Sequence, residues 1–321
     1  MDHSHDGPAP ASPSSSHSVW SQERLTADVH RAVGGCLNLV REVSRLSNEL
    51  DAEMPTEWMI KRTLFFAYEL ASVLPDGLPE HERLTFLNRF FFSMKCFKCL
   101  KETAHLKRPS DAFRLSRVLA ARAGAPMMVA LLYAFLAERI GITLEFVDLN
   151  SGSPGSLASP AGPASPIWFL RWNENGRSRY IDITRAGRVL SSDELIEILH
   201  SKQSRLEPLL EALTFEHFLV AHITDLKSTL SCAGSRTGAG ATAAPNFGIE
   251  KLLFLQNALI AYQPSNLQRL AERAVLHRKL GNFKSALADL KRFFAFHDRD
   301  KCKPELLKLH AELLALINRE P

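Results

Sequence analysis

The sequence has few cysteines, no long apolar run and little net charge, and each shortage excludes a class of protein. Five cysteines among 321 residues do not form the pattern of a secreted disulfide framework. No apolar run reaches the roughly 18–20 residues that a membrane-spanning helix needs, and nothing at the N-terminus has the pattern of a signal peptide. A formal net charge of +4 is too small to predict nucleic-acid binding. We therefore expect a cytoplasmic protein with reduced thiols, no membrane contact and no nucleic-acid partner.

The composition is that of an ordinary globular protein, with 45% hydrophobic and 23% charged residues. This is enough apolar material for one large core or two smaller ones. Three stretches rich in small residues or proline cannot bury much apolar surface. They predict a disordered tail at 1–19 and flexible loops at 150–166 and 231–248. We expect a mixed helical domain over 20–205 and an all-helical region over 206–321.

The stretch 115–149 organises the first domain. An apolar helix is predicted over 127–140, with Gly141 as its C-terminal glycine, and a strand follows directly. Glu174-Asn175-Gly176 is a turn sequence typical of a β-hairpin. A helix that leads into a strand, with further strands downstream, predicts an α+β fold with a small antiparallel sheet. The predicted strands are 143–149, 167–173 and 178–183.

Apolar residues at steps of three and four predict helices on both sides of this centre. Those before it are 22–50, 56–74 and 81–103. Those at the end of the chain are 249–262, 266–280, 283–296 and 304–317. Residues 267–294 have the spacing of a tetratricopeptide-type helical hairpin. The predicted binding surface of this hairpin consists of Arg273, Leu280, Gly281 and Phe283.

Three cysteines are candidates for chemistry. Cys36 follows two glycines, and a cysteine at a helix start can be a thiolate, but here it continues an apolar stripe in mid-helix. Cys96 and Cys99 form a C-x-x-C late in a predicted helix, without the second ligand pair that a zinc site needs. We interpret them as structural thiols and expect no metal and no cofactor. A metal site built from Cys96, Cys99 and a distant histidine stays open as a hypothesis.

Five groups of residues follow one another in a recognisable order. They are Phe86-Leu87-Asn88, the stretch 119–141, Tyr180-Ile181-Asp182 with Gly187-Arg188 and Leu190-Ser191, Ile223-Thr224-Asp225-Leu226-Lys227, and Leu280-Gly281. In this order and spacing they resemble the SirB1-type family over about residues 82–314. That family joins a transglutaminase-like domain to a tetratricopeptide-like helical region, so the resemblance implies this fold for the chain.

The resemblance also implies a Cys-His-Asp site, in which the thiol opens the central helix and the other two residues lie on adjacent strands. The nucleophile position corresponds to Pro126 or Met127, and neither can form a thiolate. The histidine position corresponds to Ile167 or Trp168, and neither can take a proton. Of the three, only the acidic residue is retained, as Asp182. An aspartate without its histidine is expected to be a hydrogen-bonded structural residue.

The sequence therefore favours a non-catalytic protein that binds a protein or peptide, on a degenerate transglutaminase-like fold. The degenerate cleft would comprise Pro126, Met127, Trp168 and Asp182. The alternative is a cysteine-dependent acyltransferase or peptidase with a relocated thiol, which requires a cysteine and a histidine in contact near Asp182.

Overall fold

Five α-helices precede the sheet in the part of the chain that the structure describes. The computed structural model describes residues 35–50, 54–100, 106, 108–148, 168–200, 212–236 and 247–318. The helices are α1 (Cys36–Leu50), α2 (Thr56–Val73), α3 (Glu80–Asn88), α4 (Leu115–Ala121) and α5 (Pro126–Arg139). A π-helical turn, Arg89–Met94, follows α3, and a 3₁₀ turn, Pro109–Phe113, precedes α4. Two short strands pair in parallel. β1 (Lys98–Cys99) lies between the two turns, and β2 (Ala123–Gly124) lies between α4 and α5.

Helix α5 is the centre of the fold, since every residue from Met127 to Ala137 is buried. A helix that is apolar on all sides needs partners on all sides, and α5 packs against helices on one side and the sheet on the other. Gly141 has φ +76°, and its N–H donates to the carbonyl of Glu138 at 3.1 Å. The N–H of Ile142 donates to the carbonyl of Ala137 at 2.9 Å, which completes a Schellman ending. The predicted helix and its terminal glycine are confirmed.

Four antiparallel strands form the sheet. In spatial order they are β3 (Leu144–Asp148), β4 (Trp168–Glu174), β5 (Arg177–Asp182) and β6 (Arg188–Ser191). Asn175 and Gly176 have φ +49° and +79°, as a tight turn with two left-handed residues requires. The hairpin and the first three strands are confirmed, whereas β6 is too short to be read from its alternation.

The two faces of the sheet pack against different elements. Leu170 and Ile181 point into the core around α5, whereas Phe169 and Tyr180 face helix α6 (Ser192–His200). Helix α6 begins with a reciprocal capping box. The N–H of Ser191 donates to Glu194 at 2.7 Å, and the N–H of Glu194 donates to Ser191 Oγ at 3.1 Å.

The rest of the described chain is helical. Its helices are α7 (Phe215–Arg236), α8 (Phe247–Tyr262), α9 (Gln268–Lys279), α10 (Phe283–Phe296) and α11 (Pro304–Ile317), with a 3₁₀ turn at Arg299–Lys301. The four helices predicted for the end of the chain are confirmed to within two residues. The loop predicted at 231–248 is too long, because residues 231–236 belong to α7 and residues 247–248 to α8.

Two further apolar clusters among the described residues, besides the one between the sheet and α6, hold these elements together. The larger one extends from α1 to α8 and includes Phe218, Ile223 and Leu259. The smaller one is formed by α9, α10 and α11, to which Ile260 contributes. Helices α7 and α8 thus complete the core of the first domain. The predicted boundary at 206 lies outside the described residues and stays a prediction, as do the tail at 1–19 and the loop at 150–166.

Two helix predictions are wrong at one end. The helix predicted over 81–103 ends near Met94, since Cys96 has φ +58° and the chain turns so that Phe97 stacks on Phe91 with ring centroids 4.4 Å apart. The helix predicted over 22–50 begins at Cys36, because Gly35 has φ +82°; residues 22–34 are not described. No helix in the described parts is long and apolar enough to cross a membrane.

Candidate functional site

The start of α5 lies at the position where the resemblance expects a nucleophile. Pro126 is the first helical residue, where its missing N–H costs nothing, and the chain enters through Ala125, whose N–H donates to the carbonyl of Ala112 at 2.8 Å. The side chain of Met127 is buried, with 1% of its surface exposed. Met127, one of the two residues that the resemblance places at the nucleophile position, is therefore part of the core.

Asp182 ends β5 and caps the 3₁₀ turn Ile183–Arg185. Its Oδ1 accepts hydrogen bonds from the N–H of Thr184 at 2.9 Å and from Thr184 Oγ1 at 2.6 Å. Its Oδ2 lies 3.6 Å from Nε of Arg185. The carboxylate is buried and serves this turn, in the way expected of a hydrogen-bonded structural residue.

Cys99 lies beside Asp182, although the two are far apart in sequence. β1 packs against the 3₁₀ turn, and Sγ of Cys99 donates to the carbonyl of Ile183 at 3.4 Å. Burial raises the pKa of the Cys99 thiol to about 12, and the charge of Asp182 adds to the increase. A nucleophilic cysteine needs a shift in the opposite direction. The structure thus brings a thiol to the surviving acid but keeps the thiol protonated.

Of the two residues that the resemblance places at the histidine position, the one that the structure describes has an aromatic side chain. Trp168 begins β4 with 1% of its surface exposed, and its ring centroid lies 5.5 Å from that of Phe218 on α7. Within the described part of the chain, no histidine hydrogen-bonds to Cys99 or Asp182. Ile167 and His105 lie outside it.

A polar clamp joins the elements around this position. Asn88, at the end of α3, accepts a hydrogen bond from the hydroxyl of Tyr133 at 2.7 Å. Its Nδ2 donates to the carbonyl of Gly187 at 3.0 Å, and the N–H of Gly187 donates to the carbonyl of Asp182 at 3.0 Å. The clamp therefore fixes α3, α5 and the β5–β6 loop together. Asn88 and Gly187 were visible in the sequence as motif residues, but nothing there indicated that they touch.

Cys36 and Cys96 occupy other environments than predicted. Cys36 is the first residue of α1, not a mid-helix residue, and its N–H donates to Oε2 of Glu138 at 2.9 Å. Burial raises the pKa of its thiol to about 12, and the Glu138 carboxylate contributes. Cys96 is exposed and lies after the π-helical turn, not within a helix. Among the described residues, no group of three or more His, Cys, Asp or Glu side chains could hold a metal ion.

The residues predicted to form a binding surface lie at and near the α9–α10 turn. Gly281 is exposed with φ +77°, while Leu280 and Phe283 are half-buried. Arg273 is engaged within the chain: its Nε and Nη2 donate to the two oxygens of Asp289 at 2.7 and 2.6 Å, and Nη1 donates to Asn257 at 3.0 Å. Arg273 therefore ties α8, α9 and α10 together.

A second polar link joins α7, α8 and α9, and it explains the motif that ends at Lys227. The ammonium group of Lys227 donates to Gln256 and, at 2.6 Å, to Glu272. Nε2 of the buried Gln256 donates to the carbonyl of Arg269 at 2.7 Å. Burial opposes ionisation of Glu272, but the hydrogen bonds and positive charges of Lys227 and Arg269 together outweigh it and lower the pKa of Glu272. The link connects the two apolar clusters.

This arrangement is that of a transglutaminase-like domain: a buried central helix, an antiparallel sheet beside it, and the acidic position at the end of β5. A family model described as the transglutaminase-like superfamily matches residues 39–219. The match covers more than half of the chain, and the chain belongs to this superfamily. The predicted α+β fold class is confirmed. No curated protein and no solved structure matches the chain.

Proposed function

We propose that the chain is a non-catalytic, protein-binding member of the transglutaminase-like superfamily. The observation that carries the proposal is the start of α5, where Pro126 and the buried Met127 stand at the nucleophile position. Acyl transfer on this fold begins with a thiolate formed by a neighbouring base, and neither side chain can supply one. The helical region that follows the domain supports a place in the SirB1-type group.

The partner we propose is a protein or peptide segment bound by the C-terminal helices. Arrays of paired helices expose extended surfaces that suit chain segments. The turn between α9 and α10 places Leu280 and Phe283 at the edge of such a surface. The degenerate cleft is a poorer candidate, because Met127, Trp168 and Asp182 are buried.

The second candidate function is a cysteine-dependent acyltransferase or peptidase that uses Cys99. Its specific support is the contact of Cys99 with the turn that Asp182 caps. The raised pKa of this thiol argues against it, since only about one molecule in 10⁵ would be a thiolate at pH 7.

Alkylation by iodoacetamide distinguishes the two candidates. We expect Cys99 to react far more slowly at pH 7 than a free thiol, and more slowly than the exposed Cys96, as followed by mass spectrometry of peptides from the native protein. Cys99→Ser identifies the Cys99 signal without changing the other thiols. If Cys99 reacts faster than free cysteine, the non-catalytic assignment is wrong and the relocated-thiol enzyme is supported.

The binding surface is tested on the full chain, because α8 belongs to the first core and a truncation within α7 would expose that core. Leu280→Glu places a charge at the proposed surface, and Val189→Glu places the same charge on the exposed side of β6. We expect captured proteins to be lost with Leu280→Glu alone, while circular dichroism of both variants stays native. Retention of every partner by Leu280→Glu would exclude this surface.

A further inference from the structure

Helix α2 has an unusual outward face. We define its outer stripe as Trp58, Lys61, Leu64, Phe65 and Tyr68, which recur at steps of three and four and therefore share one side of the helix. All five are exposed, and the exposed fractions of the aromatic residues are 37% for Trp58, 48% for Phe65 and 74% for Tyr68. Surface helices normally place polar residues on this side.

The opposite face of α2 is buried in the core of the protein. Met59, Phe66 and Leu70 are buried against the first core, and α2 packs on α1 and α5. The helix is therefore apolar on two opposite sides, which is the pattern of a helix that is covered on both. Contiguous exposed apolar surface of this kind marks an interaction site.

We propose that the outer stripe is the contact between two copies of this chain, with the two α2 helices antiparallel about a two-fold axis near Phe65. Such a contact is isologous, so one patch must complement itself. Lys61 precedes Phe65 by four residues and Tyr68 follows it by three. On an antiparallel pair, Lys61 of one copy therefore lies against Tyr68 of the partner subunit, where an ammonium group can rest on an aromatic ring.

The positive charge of Lys61 favours the antiparallel orientation of the two α2 helices. A parallel pair would place the two Lys61 side chains against each other, and like charges repel. An antiparallel pair separates them by two helical turns and gives each an electron-rich ring. Lys61 makes no ion pair among the described residues, so its charge is available to the partner. Arg62 lies with Cζ 5.5 Å from the ring centroid of Phe65, which restrains this ring at the centre of the contact.

The available area fits a reversible dimer. Aromatic side chains expose on the order of 200 Å² each when free, so the exposed fractions above, with that of Leu64, amount to roughly 400 Å² per copy. Two copies would bury about 800 Å², which is the range of weak, transient interfaces. We therefore expect association at micromolar concentrations rather than a permanent dimer. The pairing is independent of peptide binding by the C-terminal helices.

Sedimentation velocity of the full chain between about 1 and 200 µM tests the proposal. We expect the weight-average mass to rise toward that of two chains. Tyr68→Glu should weaken the dimer at least tenfold, and Lys61→Glu should do so while Lys61→Arg retains it. The matched control is Phe296→Glu, which changes a 72% exposed aromatic residue on α10 and should leave association unchanged.

Two outcomes would overturn the proposal. One is a monomer at all concentrations, which would mean that another protein or another part of the chain covers the stripe. The other is association that Phe296→Glu disrupts as strongly as Tyr68→Glu does. Because all these side chains are exposed, the variants are expected to keep the native circular dichroism spectrum, and loss of mass cannot then be ascribed to unfolding.

Discussion

Replacing Gly187 by alanine tests the polar clamp directly. Gly187 has φ +76°, and a Cβ atom built on it would lie 1.9 Å from Oδ1 of Asn88 and 2.9 Å from a ring carbon of Phe92. No real contact is that short, so Asn88 must move. Its hydrogen bonds to Tyr133 and to the Gly187 carbonyl then break together. The change thus acts on the contact between α3, α5 and the sheet.

The size of the effect follows from three contributions. A left-handed alanine costs about 1 kcal/mol. Loss of two hydrogen bonds costs about 2 kcal/mol, and the buried hydroxyl of Tyr133 loses its acceptor, which adds about 1 kcal/mol. We expect a decrease of about 4 kcal/mol in the free energy of unfolding. Gly176→Ala is the matched control: φ is +79° and nothing lies within 4 Å of its Cβ, so only the backbone contribution of about 1 kcal/mol remains.

Urea unfolding followed by circular dichroism measures both variants. The test is sharpened by Asn88→Ala, which removes the atom that the new methyl group would strike. In that background the ring carbon of Phe92 still lies 2.9 Å from the new methyl group, so Gly187→Ala should cost about 2 kcal/mol. This is about half its cost in the native chain, so the two changes are non-additive. If Gly187→Ala destabilises no more than Gly176→Ala, or if the two changes add, the clamp does not exist as described.

Three further predictions concern other polar groups, His222, Glu138 and Lys227. Burial lowers the pKa of His222 to about 3, below its unfolded value of about 6.5. The unfolded chain therefore binds an extra proton as the pH falls, and the free energy of unfolding should decrease by about 2 kcal/mol between pH 6.5 and 5. Urea titrations should show this pH dependence, and His222→Leu should remove it. Glu138→Ala removes the hydrogen-bond acceptor at the start of α1 and should lower the free energy of unfolding by about 1 kcal/mol. Cys36 should be alkylated faster, because the carboxylate no longer contributes to its raised pKa. An unchanged alkylation rate would contradict the contact. Lys227→Met should lower the free energy of unfolding by about 2 kcal/mol, as measured in urea. The control Lys279→Met, at an exposed lysine, should leave it almost unchanged. Equal effects of the two changes would refute the link between the clusters.

The central helix and the hairpin could be predicted because local chemistry determines them. Residues 127–137 are apolar without interruption, and Gly141 terminates the helix by its own backbone freedom. Asn175-Gly176 fixes the hairpin in the same way. The strand β6 escaped prediction because its four residues are too few to show a period, and its place depends on pairing with β5.

The contacts of the site could not be predicted because they join distant parts of the chain. Cys99 and Ile183 are 84 residues apart, and Asn88 and Gly187 are 99 apart. The apparent helix over 81–103 concealed the left-handed Cys96, whose conformation depends on Phe97 returning to Phe91. The replacement of the nucleophile stays a prediction, since it rests on the residue types that the resemblance places at one position.

The burial of every residue from Met127 to Ala137 restricts how this protein can change over time. Any substitution between Met127 and Ala137 alters the volume of the core, so only apolar exchanges of similar size will be neutral there. New recognition properties must therefore arise on the outer helices, where side chains can vary without disturbing the interior. A thiol introduced at residue 127 would lie in a closed environment, since Met127 is buried, so its use as a nucleophile would require an opening as well as a cysteine.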